Sequence, residues 1–545
     1  MVFPTGTARG RMKELFLFVR PPRPLWPFNG PASSFWPPLA FASMAAMLRQ
    51  HNPDWRVEIL DAPALEMGWR SLAAEIRSRR PAVVAMGEEA VSCAECLRLA
   101  RLAKGLGAKV IAGGCFFGHV GPQVLQTGLV DVVAHGEGEN TIVELADALR
   151  SCDAPSPVPR DDGVANTFCG GASQPRTTAP LRQDQKLASA LSSVAGISFR
   201  RDGEIIRTRH RPLIKNLDDL PMPAWDLLPM HRYGAGSQNH PGLAAIEASR
   251  GCFDACDFCV LWRQMGNFVA EQTRPFVRFK SVARLLEEIK IQTRDFGRHH
   301  FGWVDPCYNA HPRIPAELAD VLLRENLSVS MSAWVRADCV VRDAQSGALA
   351  RQVRGGLKEV YIGVERADGD GLKAVHKTTT IPEVREAFRI LTHDFPDVFT
   401  LGTFIYGLPG DTPETVRAIF RLSHELEMSQ PFFIPLTPLP GTPFWRDELW
   451  DDTGESFRDY NFLPSTTRPG ARRDLEWALL TAFATQWPPA RFRSYWRTVF
   501  DANARRRRMT LRLAARSAWF VGHGMVSSLL AGKRAGMIFP RWYES

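Results

Sequence analysis

The sequence predicts an α/β protein in two successive parts, a Rossmann-like doubly wound parallel sheet followed by a second α/β unit, with a helical C-terminal region. Three observations carry this. Within the first 150 residues, five short apolar runs alternate with helix-like stretches, the pattern of a parallel sheet covered on both faces. Between residues 241 and 465, six more strand-like runs alternate with helices. At the head of that second part, Glu247-Ala-Ser-Arg-Gly-Cys-Phe-Asp-Ala-Cys-Asp-Phe-Cys259 follows directly on a strand-like run and places three cysteines in C-x3-C-x2-C spacing.

Leu15-Phe-Leu-Phe-Val19, ended by Pro21-Pro22, reads as a buried first strand. Pro37 to Leu48 reads as a helix opened by proline. Val57–Asp61, Ala82–Gly87, Lys109–Gly114 and Val130–Ala134 are the next four strands, with a helix through Leu97 to Lys104. Residues 152–190 are poor in large apolar groups and rich in Ser, Pro, Gly, Thr and Gln, which predicts a flexible linker or insertion. Order resumes with a hairpin: Val194–Phe199, a turn at Arg201-Asp-Gly203, and a partner beginning at Ile205. Leu217 to Asp226 carries two prolines and reads as an extended connector. The strands of the second part are Leu243–Ala248, His300–Val304, Leu327–Met331, Glu359–Gly363, Phe399–Tyr406 and Phe432–Leu436. These readings divide the chain into 1–150, 151–193 (linker), 194–240 (connector), 241–465 and 466–545.

A chain of 545 residues with 45% hydrophobic and 23% charged residues is an ordinary globular protein of two or three domains. Ten cysteines at this length make no disulfide framework, and Met1 to Arg11 lacks the apolar core of a secretory signal. A reducing cytoplasm is the expected compartment. The net charge of +9 is uneven: residues 466–545 hold 15 Lys+Arg against 4 Asp+Glu, and the rest is close to neutral. A near-neutral body argues against nucleic-acid binding. In the tail, Arg505–Arg508 precede the partly apolar Leu511–Leu530. Its apolar part, Ser517–Leu530, is about 14 residues and too short to span a bilayer; the segment reads as a peripheral contact with an anionic membrane face or as a helical cap with solvated arginines.

Three thiolates this close on one loop can hold three irons of a [4Fe–4S] cube and leave the fourth iron open. Packed thiols or a zinc knuckle are the alternatives. A knuckle wants a fourth Cys or His at short spacing, and none follows in the next turns. Cys93 and Cys96 are a second C-x-x-C, read as a packed helix ahead of a redox pair. Glycines end several first-part strands at Gly87, Gly113-Gly114 and Gly136-Glu137-Gly138-Glu139, where backbone can approach a large planar ligand.

The three cysteines, with Phe258 before the last of them, resemble the radical S-adenosylmethionine (SAM) enzymes. That resemblance implies a partial (β/α)6 TIM-like barrel, a [4Fe–4S] cluster on Cys252, Cys256 and Cys259, and SAM bound at the open iron. It also implies SAM-facing roles for Asp305 after the second barrel strand, Arg336 after the third, Glu365 in Gly363-Val-Glu-Arg366, and Lys377, with Phe258 beside them. Arg366 stands where the family pattern has serine. The order of Asp61, Gly113, Gly114, Gly136, Glu137 and Gly138 resembles the cobalamin-binding domain fused to many such enzymes. Pro63 occupies the position of the cobalt-ligating histidine of related domains and Glu66 that of a glycine. Base-off cobalamin without a protein histidine is therefore implied, and His119 and His135 are read as ordinary loop histidines. The branch implies methylation of an unactivated carbon of a hydrophobic substrate, such as a lipid or tetrapyrrole, with the 5′-deoxyadenosyl radical and methylcobalamin. A flavodoxin or ferredoxin would be the electron donor. The alternatives are the anaerobic oxidative cyclase of magnesium-protoporphyrin IX monomethyl ester and a non-enzymatic cobalamin or redox sensor.

Overall fold

The computed structural model describes residues 13–23, 36–87, 90–150, 179–234, 242–269, 272–460, 472–483, 485 and 541–545. Arg505–Arg508 and Leu511–Leu530 lie outside the described residues.

The first sheet contains β1 (Leu15–Arg20), β2 (Arg56–Asp61), β3 (Val83–Met86), β4 (Lys109–Ala112), β5 (Val132–Ala134), β6 (Ile197–Arg201) and β7 (Glu204–Arg207), in the order β2-β1-β3-β4-β5-β6-β7. β1 to β5 are parallel; β6 and β7 add an antiparallel hairpin at one edge. The all-apolar run of β1 follows from its central place, where helices cover both faces. The order reverses between β1 and β3, which puts the binding crevice over the carboxyl ends of those strands.

Three expectations need correction here. Ala179–Ser193 is a helix, so the last third of the stretch 151–193 expected to be a flexible linker is helical, and 151–178 lie outside the described residues; the abundance of Ser and Gln masked Leu187 and Leu191, which pack on the sheet. The hairpin expected in the connector belongs to the first sheet, because β6 pairs with β5. The third barrel strand lies later than its apolar run suggested. Asn326 adopts a left-handed turn (φ 53°) after the preceding helix, and pairing starts only at Ser330.

In the second part, β8 (Leu243–Ile246) is followed by β9 (Ser249–Cys252), β10 (Asn267–Val269), β11 (Gln272–Arg274) and β12 (Phe276–Phe279). β9 pairs with β12 and β10 with β11, two short antiparallel ribbons that the sequence reading missed. β13 (His300–Trp303), β14 (Ser330–Val335), β15 (Leu357–Glu365), β16 (Phe399–Tyr406) and β17 (Gln430–Pro435) join β8 in one parallel sheet, order β17-β16-β15-β14-β13-β8. Alternation assigns its two faces. Phe301, Met331, Val360, Ile362 and Phe404 pack in the core beneath the surrounding helices. Gly302, Ser332, Trp334, Tyr361 and Gly363 therefore face the inner side.

The two parts interlock. Trp36, from the segment after β1, lies against Gly302 of β13: a Cβ at Gly302 would sit 2.1 Å from the indole. Arg20 at the end of β1 holds Trp36 by donating to its carbonyl (3.0 Å). Phe457 and Tyr543, far along the chain, are buried in the core of the first sheet. Ser545 accepts from the amides of Arg70 and Ser71 (3.1 and 3.2 Å) at the start of the helix Trp69–Arg79. Among the described residues no helix is long and apolar enough to cross a membrane.

Candidate functional site

The cysteine loop begins where β9 ends. Gly251 has φ +95°, and a Cβ there would lie 1.9 Å from the carbonyl oxygen of Phe276, so only glycine lets β12 close on the strand that presents Cys252. The amide of Cys259 bonds the carbonyl of Cys256 (3.2 Å), and the indole N–H of Trp262 donates to the same carbonyl (2.9 Å). These bonds curl the backbone of the loop between Cys256 and Trp262. Burial pushes all three thiols up, and the ammonium of Lys377 opposes this at each of them. Among the described residues no three His, Cys, Asp or Glu side chains converge tightly enough to hold a single ion. Three cysteines on one loop supply one thiolate to each of three irons of a cube, whereas the closed shell of zinc asks for four ligands.

The remaining expected residues take distinct places around that loop. Arg336, first after β14, engages Asp254 between the cysteines, binds both oxygens of Asp338 (3.0 and 3.1 Å) and Thr378 Oγ1 (2.8 Å), and lies over the Phe253 ring. Its contact is thus with the cysteine loop. Glu365 sits at a left-handed φ of 66° at an irregularity in the β15–β16 pairing, a strained conformation of the sort that collects at working sites. Its carboxylate folds back over Gly363, where a Cβ would be 2.2 Å from Oε1, and meets Lys377 Nζ at 3.3 Å. Phe258 packs against the small cluster of Val375, Ile405 and Leu408. Asp305 lies one layer below: it is fully buried and accepts from the amide of Ala248 (3.0 Å) and from Ser249 Oγ (2.6 Å), which pins the end of β8. Burial raises its carboxyl to about 7 against those hydrogen bonds. Arg366, the departure from serine, forms a buried pair with Asp411 (2.5 and 3.0 Å), and Asp411 accepts from the amides of Gly407 and Leu408. The substitution therefore braces the Gly407-Leu-Pro-Gly410 turn.

On the first sheet, Gly87, Gly113 and Gly114 bring the ends of β3 and β4 together; a Cβ at Gly87 would be 3.0 Å from the Gly113 carbonyl oxygen. Gly136 has φ +69° and would meet nothing within 4 Å. This bare-backbone floor beside open space suits a large planar group. Gly138 packs on Met44. Two expected contacts fall elsewhere. Asp61 is wholly buried and accepts from Tyr233 Oη (2.7 Å) and the amide of Ala64, so it anchors the loop after β2 from beneath. Glu137 is turned into the second part, to Arg250 (3.0 Å) and Arg278 (2.9 Å). His135 has both ring nitrogens engaged, with the Gly118 carbonyl (2.7 Å) and Ser198 Oγ (2.8 Å). Burial lowers both His119 and His135 to about 4. Cys93 and Cys96 are fully buried in the core, the packed-helix reading.

Sequence reasoning missed Asp254, Arg250 and Arg278. Their signal was available: each places a charge inside a short strand or between two cysteines, where only a buried partner makes it tolerable.

Comparisons with known proteins agree with this geometry. Residues 27–146 match the B12 binding domain family and residues 246–423 the Radical SAM superfamily. An uncharacterized methyltransferase of Pyrococcus horikoshii is 27% identical over 421 residues, 75% of this chain and 78% of that protein. The anaerobic magnesium-protoporphyrin IX monomethyl ester cyclase of Synechocystis sp. is 24% identical, over 90% of this chain and 89% of that protein. Among solved structures, the radical S-adenosylmethionine methyltransferase TsrM from Kitasatospora setae, with cobalamin and a [4Fe-4S] cluster bound, aligns with a TM-score of 0.60 and 15% identity. The alignment covers 93% of this chain and 100% of that one.

Proposed function

The chain is a cobalamin-dependent radical SAM enzyme, and from that premise we propose that it methylates an unactivated carbon of a hydrophobic substrate. The observation that carries this reading is the juxtaposition of the two sites. The Gly136–Gly138 loop of the cobalamin-binding part touches Arg250 and Gln264, which flank the cysteine loop on both sides. The two loops that would carry the cofactors are thus in direct contact.

When bound, the cofactors supply a hydrogen-abstracting 5′-deoxyadenosyl radical and a cobalt-held methyl group. The chain's own residues position and enclose them. Cys252, Cys256 and Cys259 would hold the cluster, and the charge of Lys377 favours their thiolate forms. Arg336 fixes the loop through Asp254. Glu365, held by Lys377, presents a carboxylate beside the cluster for the polar groups of SAM. Gly87, Gly113, Gly114 and Gly136 would floor the cobalamin. His135 is already engaged at both ring nitrogens, which leaves His119, whose buried Nε2 has no hydrogen-bond partner among the described residues, as the histidine a cobalt-ligation test must address.

A hydrophobic substrate is supported by the inner face of the barrel sheet. Strands of a parallel sheet are ordinarily covered on both faces. Yet Val304, just past β13, is 40% exposed and Trp334 on β14 41% exposed, with Tyr361 packed on Trp334. Apolar surface left open at the carboxyl ends of central strands is where a substrate belongs.

The second reading, oxidative cyclisation, is favoured by the length over which the Synechocystis cyclase aligns. Both reactions begin with hydrogen abstraction, so 5′-deoxyadenosine does not separate them. Incubation with methyl-deuterated SAM does. A methylase gives a product heavier by the labelled methyl, with S-adenosylhomocysteine and 5′-deoxyadenosine formed together. Product that takes label from heavy-oxygen water, without S-adenosylhomocysteine, rejects methylation in favour of the cyclase.

A further inference from the structure

Arg250 and Arg278 stand directly opposite each other across the β9–β12 ladder. Like charges in that relation repel, and here both side chains are withdrawn from water, at 9% and 5% exposure. An unpaired guanidinium is not tolerated at such a site. The anion that resolves the conflict comes from the other part of the molecule. Glu137, itself 7% exposed, reaches across the domain boundary, with Oε1 at 3.0 Å from Arg250 Nη1 and 2.9 Å from Arg278 Nη1. Its Oε2 accepts from the amide of Ile214 (2.8 Å), whose carbonyl in turn receives Arg278 Nη1 (2.7 Å). Arg250 is completed by Glu139 (2.6 Å) and Glu247 (3.0 Å).

The location gives the cluster its meaning. Glu137 is flanked by Gly136 and Gly138, on the loop that borders the cobalamin floor. Arg250 is two residues before Cys252 on the same strand, about 7 Å along it. Gln264, past the last cysteine, adds a bond to the carbonyl of Gly136 (3.0 Å). One buried carboxylate thus ties the loop at one cofactor site to the strand that carries the other. The ion pairs are strong and directional because the charged partners are nearly buried.

We infer that Glu137 is a positioning residue of the two-cofactor reaction: clamped between Arg250 and Arg278, its carboxylate sets the separation and orientation of the cobalamin relative to the cluster. The inference needs both cofactors but not methyl transfer in particular, and it holds equally if the product is oxidised.

The test uses the reconstituted holoenzyme loaded with hydroxocobalamin, reduced so that cob(II)alamin and the cluster are both paramagnetic, and without substrate. The spin–spin splitting between the two centres reports their separation directly. In the parent protein one narrow splitting is expected. In Glu137→Gln, which keeps shape and removes charge, the splitting broadens and shifts, corresponding to a displacement on the order of 1 Å, enough to cost ~100-fold in rate. Arg278→Met, which opens the clamp from the other side, gives the same change. The double variant is no worse than either single one, because the three groups act as one unit. Should Glu137→Gln fail to fold, Arg278→Met alone carries the measurement. An unchanged splitting in the variants, with only a lower melting temperature, overturns the inference and leaves the cluster a structural strut. A splitting that changes in a protein later found to make an oxidised product would refute methylation while leaving Glu137 in its role.

Discussion

Asp305 offers a measurement of what burial does to a carboxylate beneath a radical site. Its carboxyl titrates at about 7 in the folded protein against an ordinary 3.8, because burial outweighs the bonds from Ser249 and Ala248. The folded state therefore binds a proton more tightly than the unfolded chain. This contribution to stability is complete below the unfolded pKa, declines as pH rises, and is gone above about 7. Between pH 5 and pH 8 the loss is on the order of 3 kcal/mol. Asp305→Asn keeps the shape and removes the titration. Other groups cancel when the variant is compared with the parent at each pH. The parent should lose on the order of 3 kcal/mol relative to the variant across this range, or roughly 5–10 °C in midpoint for a unit the size of the barrel. Thermal unfolding of the anaerobic protein at pH 5, 6, 7 and 8 is the assay. A parent–variant difference that stays constant over those four values, or that moves in the parent's favour as pH rises, would show that Asp305 is ionised throughout and that its hydrogen bonds, rather than its burial, decide.

Three further outcomes are expected. The anaerobically prepared protein should carry about four irons and four sulfides per chain, and alanine at Cys252, Cys256 or Cys259 should abolish SAM cleavage; 5′-deoxyadenosine at the parent rate from any of the three would refute the cluster assignment. Bound cob(II)alamin should be base-off without nitrogen hyperfine structure from a histidine, since Pro63 takes the expected histidine position and His135 is engaged at both nitrogens; detection of that structure would overturn this expectation and point to His119. Gly251→Ala forces a side chain into a backbone at φ +95° and onto the Phe276 carbonyl; it should cost at least about 1–2 kcal/mol from the dihedral alone and release iron, whereas full iron content would mean β12 is not what presents Cys252.

What the sequence disclosed and what it withheld divide along physical lines. Apolar runs located the five parallel strands of the first sheet, because a strand buried on both faces is apolar nearly throughout, and the six of the second with the third placed too early. The cysteines were legible because their spacing is itself the chemistry. Glu137 and Asp61 were read as ligand contacts, since nothing in a linear sequence says whether a carboxylate faces a cleft or the interior. Their partners Arg250 and Tyr233 are 113 and 172 residues away. The helix Ala179–Ser193 was hidden for a different reason: a helix needs only a narrow apolar stripe, and polar composition obscured it.

Gly302 and Trp36 bear on how such a protein can be re-engineered. Two catalytic units joined in one chain invite exchange, with one taken from a relative and grafted onto the other. Here a central strand has given up its side chain so that an indole from the neighbouring unit can occupy the place. A transplanted first unit without that tryptophan leaves a void in the inner wall, and a transplanted barrel with any larger residue at 302 expels the indole. The pair must travel together, so the boundary at which a chimaera stays intact runs through side-chain contacts and not through the linker.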